Sequence, residues 1–207
     1  MVLPSHLTPG TPAAEYFKPY SDYIFEIGLT PNRMDAMSHL GVARDVAAYL
    51  THHQKETRVK QPYANGFKAD NNDAPIKVTV ENSTDCPRYA GVTISGVTVA
   101  PSPEWLVNKL TAIGVRSINN IVDVTNYILH ETGQPLHAFD LKAVTGNEII
   151  VKNVATGTKF TTLDDKERSL HAEDLMICNA NESMCIAGVF GGSKSGVNNE
   201  TTAIFLE

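Results

Sequence analysis

The second part of the chain breaks into short, separate β-branched runs, and this constrains the fold class more than any motif does. IKVTV (76–80), a stretch from Tyr89 to Val99 broken at Gly96, EIIVKNV (148–154), KFTTL (159–163), DLMICNA (174–180) and TTAIFLE (201–207) each read as a strand. Two helical patterns interrupt them. Ser102-Pro103-Glu104 opens the first with a cap, a first-position proline and an early acid, and Gly114 closes it. The second is predicted over 120–132 and ends at Gly133. Asp164-Asp165 turns a hairpin between KFTTL and RSL. Strands and helices do not alternate regularly, so the pattern predicts α+β, mixed and β-rich with two helices, rather than a doubly wound sheet. No internal repeat is present.

Upstream the pattern changes. Residues 2–20 carry prolines at 4, 9, 12 and 19 and no clear periodicity. DYIFEIGL (22–29) then reads as a buried strand, and Thr30-Pro31-Asn32 as a turn. From Ser38 the positions Leu40, Ala43, Val46, Ala47 and Leu50 recur at helical spacing. Ser38 is the expected N-cap, since its hydroxyl can accept from an otherwise unpaired N–H. The polar stretch GFKADNNDAP (66–75) reads as a linker. A small strand–helix domain is therefore expected before it and a larger β-rich domain after it.

Composition excludes several function classes. A chain of 207 residues has room for one or two domains with an ample core. Hydrophobic residues at 42% and charged residues at 19% are ordinary for a folded protein. The net charge of −6 argues against a broadly basic nucleic-acid wrapper. The charge is uneven, with 7 Lys/Arg against 8 Asp/Glu in residues 1–73 and 10 against 15 in residues 74–207. Any nucleic-acid contact in the second part must therefore be local, because a surface of that sign repels phosphate. No apolar run approaches the roughly 20 residues of a membrane helix, and the polar, proline-rich start does not read as a signal peptide. Cys86, Cys178 and Cys185 are odd in number and lack CxxC spacing, which fits a reducing cytoplasm and no zinc site. The sequons at Asn82, Asn181 and Asn199 are accidental in that setting.

Few short motifs point to chemistry. GVFGGSKSG (188–196) fails the phosphate-loop pattern, because Ser193 stands where a glycine is required. Either a turn tolerating positive φ or a wall where a ligand meets bare backbone N–H groups explains its glycines. His52-His53 reads as a solvated helix C-terminus. No HExxH, paired-carboxylate or Ser/His/Asp signature appears, and no metal site is expected. His137 lies in GQPLHAFD after a helix and a turn. Its plain reading is a half-buried histidine pairing with Asp140 to hold a loop.

Longer stretches add to these readings. DYIFEIGLTPNRMDAMSHLGVARDVAAYL (22–50), RSINNIVDVTNYILHETGQPLHAFDL (116–141) and CIAGVFGGSKSGVNNETTAIFLE (185–207) closely resemble the β subunit family of bacterial phenylalanyl-tRNA synthetases. They lie in the family's order and cover nearly the whole chain. The resemblance implies that residues 1–21 are a linker following an oligonucleotide-binding-type domain. It makes 22–73 part of a small flanking α+β domain, and 74–207 most of an editing module that continues beyond Glu207 in the family. It implies as partners the tRNA(Phe) 3′ end and a separate α subunit, in a heterotetramer of two α and two β chains, cytoplasmic and without a membrane. ATP and magnesium would serve the whole enzyme, which attaches phenylalanine to tRNA(Phe); no cofactor is expected in this piece.

The implied chemistry is hydrolysis of Tyr-tRNA(Phe). A hydrophobic pocket rejects an added hydroxyl only about 10²-fold, so a second site must remove the mischarged product. That site should offer the phenol an acceptor which phenylalanine would leave buried and unpaired. The resemblance gives this role to Glu207, whose plain reading is an exposed strand-end acid. It places Arg116, Thr125, Asn126, His137, Gly191 and Gly192 around the same pocket. Arg116 and His137 are suited to grip the terminal adenosine and its ester. Thr125 and Asn126 would orient the ester or a water, and the two glycines would admit the aminoacyl group against backbone amides that steady an oxyanion. His137 is expected to position substrate or act as a base. No protein nucleophile is required, since one placed water attacks an already activated ester. The alternative is a structural or tRNA-docking piece with no activity by itself.

Overall fold

A computed structural model describes residues 3–53, 55–63 and 66–207. The first two residues of the expected linker lie outside the described residues. The helices are α1 (Ala13–Phe17), α2 (His39–His52), α3 (Glu104–Ala112) and α4 (Asn120–Thr132). The strands are β1 (Lys77–Val80), β2 (Val92–Ser95), β3 (Ala138–Asp140), β4 (Glu148–Asn153) and β5 (Lys159–Thr161). They continue with β6 (Glu167–Ser169), β7 (Leu175–Cys178), β8 (Ser183–Ile186), β9 (Phe190–Gly191) and β10 (Ala203–Leu206). The fold is α+β.

Local chemistry sets the helix ends. The Ser38 hydroxyl accepts from the Gly41 N–H at 2.9 Å, the cap expected from sequence. Asn119 caps α4 by accepting from the Ile121 and Val122 N–H groups, and Gly133 ends that helix at φ +79°. Helix α4 packs against both α2 and α3. The expected cap of α3 is different. Pro103 holds the N-cap position, and the Ser102 hydroxyl donates to Asp123 instead.

That aspartate is a buried joint. Asp123 is 0% exposed and accepts from the hydroxyls of Ser102 and Ser117 and from the Ile118 N–H. Burial works against its charge, and the three donors outweigh burial, holding the carboxyl below the usual carboxylate range. Asp123→Asn is expected to lower the unfolding free energy by roughly 2 kcal/mol, read in a urea titration, because the amide turns a donor toward groups that already donate.

Two sheets share the main core. The larger runs β1-β4-β7-β8-β9, with β1 and β4 parallel and the other neighbours antiparallel. The smaller is the antiparallel β2-β10-β3. Phe139, Ile149, Val151, Ile177 and Phe205 pack together in the core. On the other face of β4 and β7, Phe160 and Leu170 from around the β5–β6 hairpin cover Met176 and Cys178. A sheet covered on both faces needs apolar residues at consecutive positions, which is why LMIC reads as a continuous run. Each fully buried large side chain contributes about 1.5–3 kcal/mol.

Three expectations are corrected. DYIFEIGL forms no strand and is exposed apart from a half-buried Leu29, with Tyr23 89% and Phe25 80% exposed. Among the described residues no strand offers it a ladder and no apolar face covers it. The stretch from Tyr89 to Val99 is a strand only over Val92–Ser95, ending where Gly96 turns to φ +74°. HAFD is not a loop, because Ala138–Asp140 pair with β10. The β5–β6 hairpin turns at Asp165, at φ +58°, as its sequence implied.

Candidate functional site

The pairing of β3 with β10 builds the site. Beyond the Ala138–Leu206 pair, the His137 N–H donates to the Glu207 carbonyl at 3.1 Å, and the Glu207 N–H donates to the His137 carbonyl at 2.9 Å. Residues that exchange both bonds stand directly opposite each other, so their side chains share one face. Two residues distant in sequence are thereby fixed side by side on rigid backbone.

Strand parity also settles the partner of His137. Side chains two apart share a face and those three apart do not. His137 therefore meets Phe139 edge-on, with ring centroids 4.6 Å apart. Asp140 points to the other side, where it accepts from the Thr201 hydroxyl at 2.7 Å and the Lys142 N–H at 3.0 Å. The expected His137–Asp140 pair does not form.

His137 and Glu207 line a cavity of about 570 Å³ with Tyr89, Cys185, Phe190 and Gly191. Gly191 touches the histidine: a Cβ there would stand 2.8 Å from His137 Cε1 and 3.2 Å from Nε2. Its φ is not positive, so close approach, not turn geometry, requires the glycine. His137 Nε2 is sealed from solvent without a hydrogen-bond partner. Burial pushes the imidazole pKa below its ordinary value, so the ring stays neutral at neutral pH, with one acceptor and one donor nitrogen.

Glu207 is half-buried, and Oε2 accepts a hydrogen bond from the Tyr89 hydroxyl. Burial raises its carboxyl to about 7, with the Tyr89 bond opposing the rise. Burial also pushes the Cys185 thiol up to about 12, and the Glu207 charge adds to this. The thiol is therefore inert as a nucleophile.

The other expected residues lie elsewhere. Gly192 donates its N–H to the Met184 carbonyl at 2.8 Å and lines a separate cavity of about 500 Å³ beside the β5–β6 hairpin. Its amide is thus committed. Arg116 is exposed in the segment before α4. Thr125 donates to the Val122 carbonyl at 2.7 Å within α4, and Asn126 is half-buried on the same helix. None of these four lines the cavity that holds Glu207. Sequence reasoning missed Tyr89 and Arg88, both of which line it. Tyr89 read only as the start of a strand, and nothing local marks a contact 118 positions away. Phe190 is a cavity wall, 40% exposed. Among the described residues no group of three or more His, Cys, Asp or Glu is placed to hold a metal, and no helix is long and apolar enough to cross a membrane.

A family model described as the B3/4 domain matches residues 85–207. The chain is 57% identical over its whole length to a protein named phenylalanine–tRNA ligase beta subunit from Bacteroides thetaiotaomicron. Proteins of the same name from Porphyromonas gingivalis and Salinibacter ruber are 56% and 44% identical, again over the whole chain. In each case the chain spans 25% of the relative's length. An N-terminal fragment of the phenylalanyl-tRNA synthetase beta subunit from Pyrococcus horikoshii aligns in crystal form with 84% of this chain and 52% of its own, at 17% identity and a TM-score of 0.43.

Proposed function

The chain belongs to the B3/4 domain family, and we propose that its Glu207 cavity hydrolyses Tyr-tRNA(Phe) within an enzyme that joins phenylalanine to tRNA(Phe). The observation that supports this most is the His137–Glu207 pair, which sets a half-buried carboxyl beside a buried imidazole in the wall of one cavity. In this reading residues 74–207 are the editing module, and 22–73 belong to a flanking domain. The tRNA 3′ end enters the cavity, while an α subunit, ATP and magnesium serve the ligation elsewhere in the cytoplasmic complex.

The chemistry follows from the groups present. The tyrosyl phenol donates to Glu207, whereas phenylalanine brings no donor and covers the remaining carboxylate oxygen without pairing it. Anchoring the side chain places the ester carbonyl near His137 and the bare backbone of Gly191. Water attacks the carbonyl carbon, His137 takes or orients its proton, and the ribose oxygen leaves with a proton to give tyrosine and free tRNA. Because the Glu207 carboxyl lies near 7, preference for the tyrosyl ester is expected to grow as pH rises through neutrality.

Deacylation of Tyr-tRNA(Phe) and Phe-tRNA(Phe) by the intact synthetase tests the reading. A clear excess for the tyrosyl ester is expected; equal rates would leave the chain as a structural or tRNA-docking piece. Gly191→Ala gives a sharper check. The added methyl meets the His137 ring, and the rate is expected to fall about tenfold, since small misplacements at a reacting centre cost that much or more.

A further inference from the structure

The contact between Tyr89 and Glu207 has no role in the reading above. Both residues are half-buried, and they come together from opposite ends of the domain. The backbone fixes the meeting. Val92 pairs with Leu206, which leaves Tyr89 just past the end of the β2–β10 ladder. Gly91 lies against the Phe205 ring, which a Cβ at that position would overlap, so the segment bearing Tyr89 sits closer to β10 than any other residue type would allow.

The two carboxylate oxygens are not equivalent. Oε2 accepts from the Tyr89 hydroxyl. Oε1 has no hydrogen-bond partner among the described residues, yet it is not sealed from solvent; among those residues His137 Nε2 alone is both sealed and unpartnered. It is therefore accessible, on a residue that lines the cavity.

We propose that Tyr89 is a positioning residue for substrate recognition: by occupying Oε2 it turns Oε1 into the single acceptor offered to a phenolic side chain. This rests on the editing reading. A carboxylate free to rotate would present either oxygen, or a protonated hydroxyl, and would accommodate ligands in several poses. Held by a neutral phenol, it is fixed in direction. The other groups around it do not do this. Cys86 comes from Tyr89's own segment, Cys185 from β8 and His137 from the end of β3, while Arg88 and Asp85 also line the cavity. Among the described residues, only Tyr89 donates to the Glu207 side chain. The bond also opposes the upward pull of burial on the Glu207 titration.

The test is Tyr89→Phe in the intact synthetase, with Tyr-tRNA(Phe) and Phe-tRNA(Phe) deacylation followed across pH. The ratio of the two kcat/KM values at pH 7 is expected to fall about tenfold, the scale of one lost hydrogen bond to a charged group. It should recover in part at higher pH, because the titration limb of the ratio moves upward. A carbon-13 titration of the Glu207 carboxyl in wild type and variant reads the same shift without catalysis. An unchanged ratio with an unchanged limb would overturn the role of Tyr89, as would an unchanged carboxyl titration if the variant proved too impaired to assay. A wild type that does not prefer the tyrosyl ester would overturn the editing reading and this inference together, which sets that failure apart from the first.

Discussion

Glu207→Ala is expected to reduce the preference for Tyr-tRNA(Phe) over Phe-tRNA(Phe) by about a hundredfold, the order of effect when a buried acceptor that reads a hydroxyl is removed. The loss should fall on the tyrosyl ester alone, because phenylalanine brings no donor for Glu207 to accept from. Deacylation rates for the two esters measure it directly. Glu207→Gln separates the same side chain's cost to folding. In the folded chain the carboxyl lies near 7 against an ordinary 4.5, chiefly through burial. Over that window the unfolded chain is ionised and the folded chain is protonated, so stability is fully present below the lower value and declines up to the upper one. The decline amounts to roughly 3 kcal/mol. Glutamine has no such titration. Urea unfolding of variant and wild type should therefore show a difference that grows in favour of glutamine from pH 4 to pH 8. His137, held neutral by burial, loses stability as pH falls, but it does so in both proteins and cancels from the difference. On the proposed reading, the carboxylate that would read a phenol destabilises the fold over the same pH range in which it gains its charge.

The parts of this architecture that were legible in sequence are those whose cause is local. Ser38 accepts from a backbone N–H three residues on, and Gly133 turns to positive φ immediately after α4; neither needs the rest of the chain. Asp165 likewise makes its own turn. What failed depended on distant partners. DYIFEIGL has the residues of a buried strand, but burial belongs to the surface that covers a segment, and the described residues provide none. HAFD is too short to signal a strand and becomes one only because β10 lies beside it. Strand parity then separated His137 from Asp140, which a loop would have left free to pair. The glycine pair shows the same division. Adjacent and identical in sequence, Gly191 faces the His137 ring while Gly192 lies against the Phe160 ring and donates its N–H to Met184 on β8. Of the expected pocket residues, the structure gathers His137, Gly191 and Glu207 and adds Tyr89 from far along the chain.

His137→Ala is expected to slow Tyr-tRNA(Phe) hydrolysis by about 10²–10³-fold, within the range for loss of a positioned proton-transfer group. Its effect should differ in kind from that at Glu207: both esters slow together, and the preference between them survives, because the phenol is read at a separate atom. In the wild type the acid limb of the rate should lie below the ordinary histidine range, since burial disfavours the imidazolium. That limb should vanish in the variant. Removing the ring also removes the nearest atoms that a Gly191 side chain would meet, leaving only the flexible end of Leu163, whose Cδ1 would stand 3.0 Å away. Gly191→Ala should accordingly cost its tenfold in the wild type and clearly less in His137→Ala, a non-additive pair diagnostic of direct contact. Full additivity would mean that Gly191 acts on the substrate without the histidine. An unchanged rate in His137→Ala alone would remove the ring from the chemistry and leave Glu207 and a water to account for whatever hydrolysis the cavity performs.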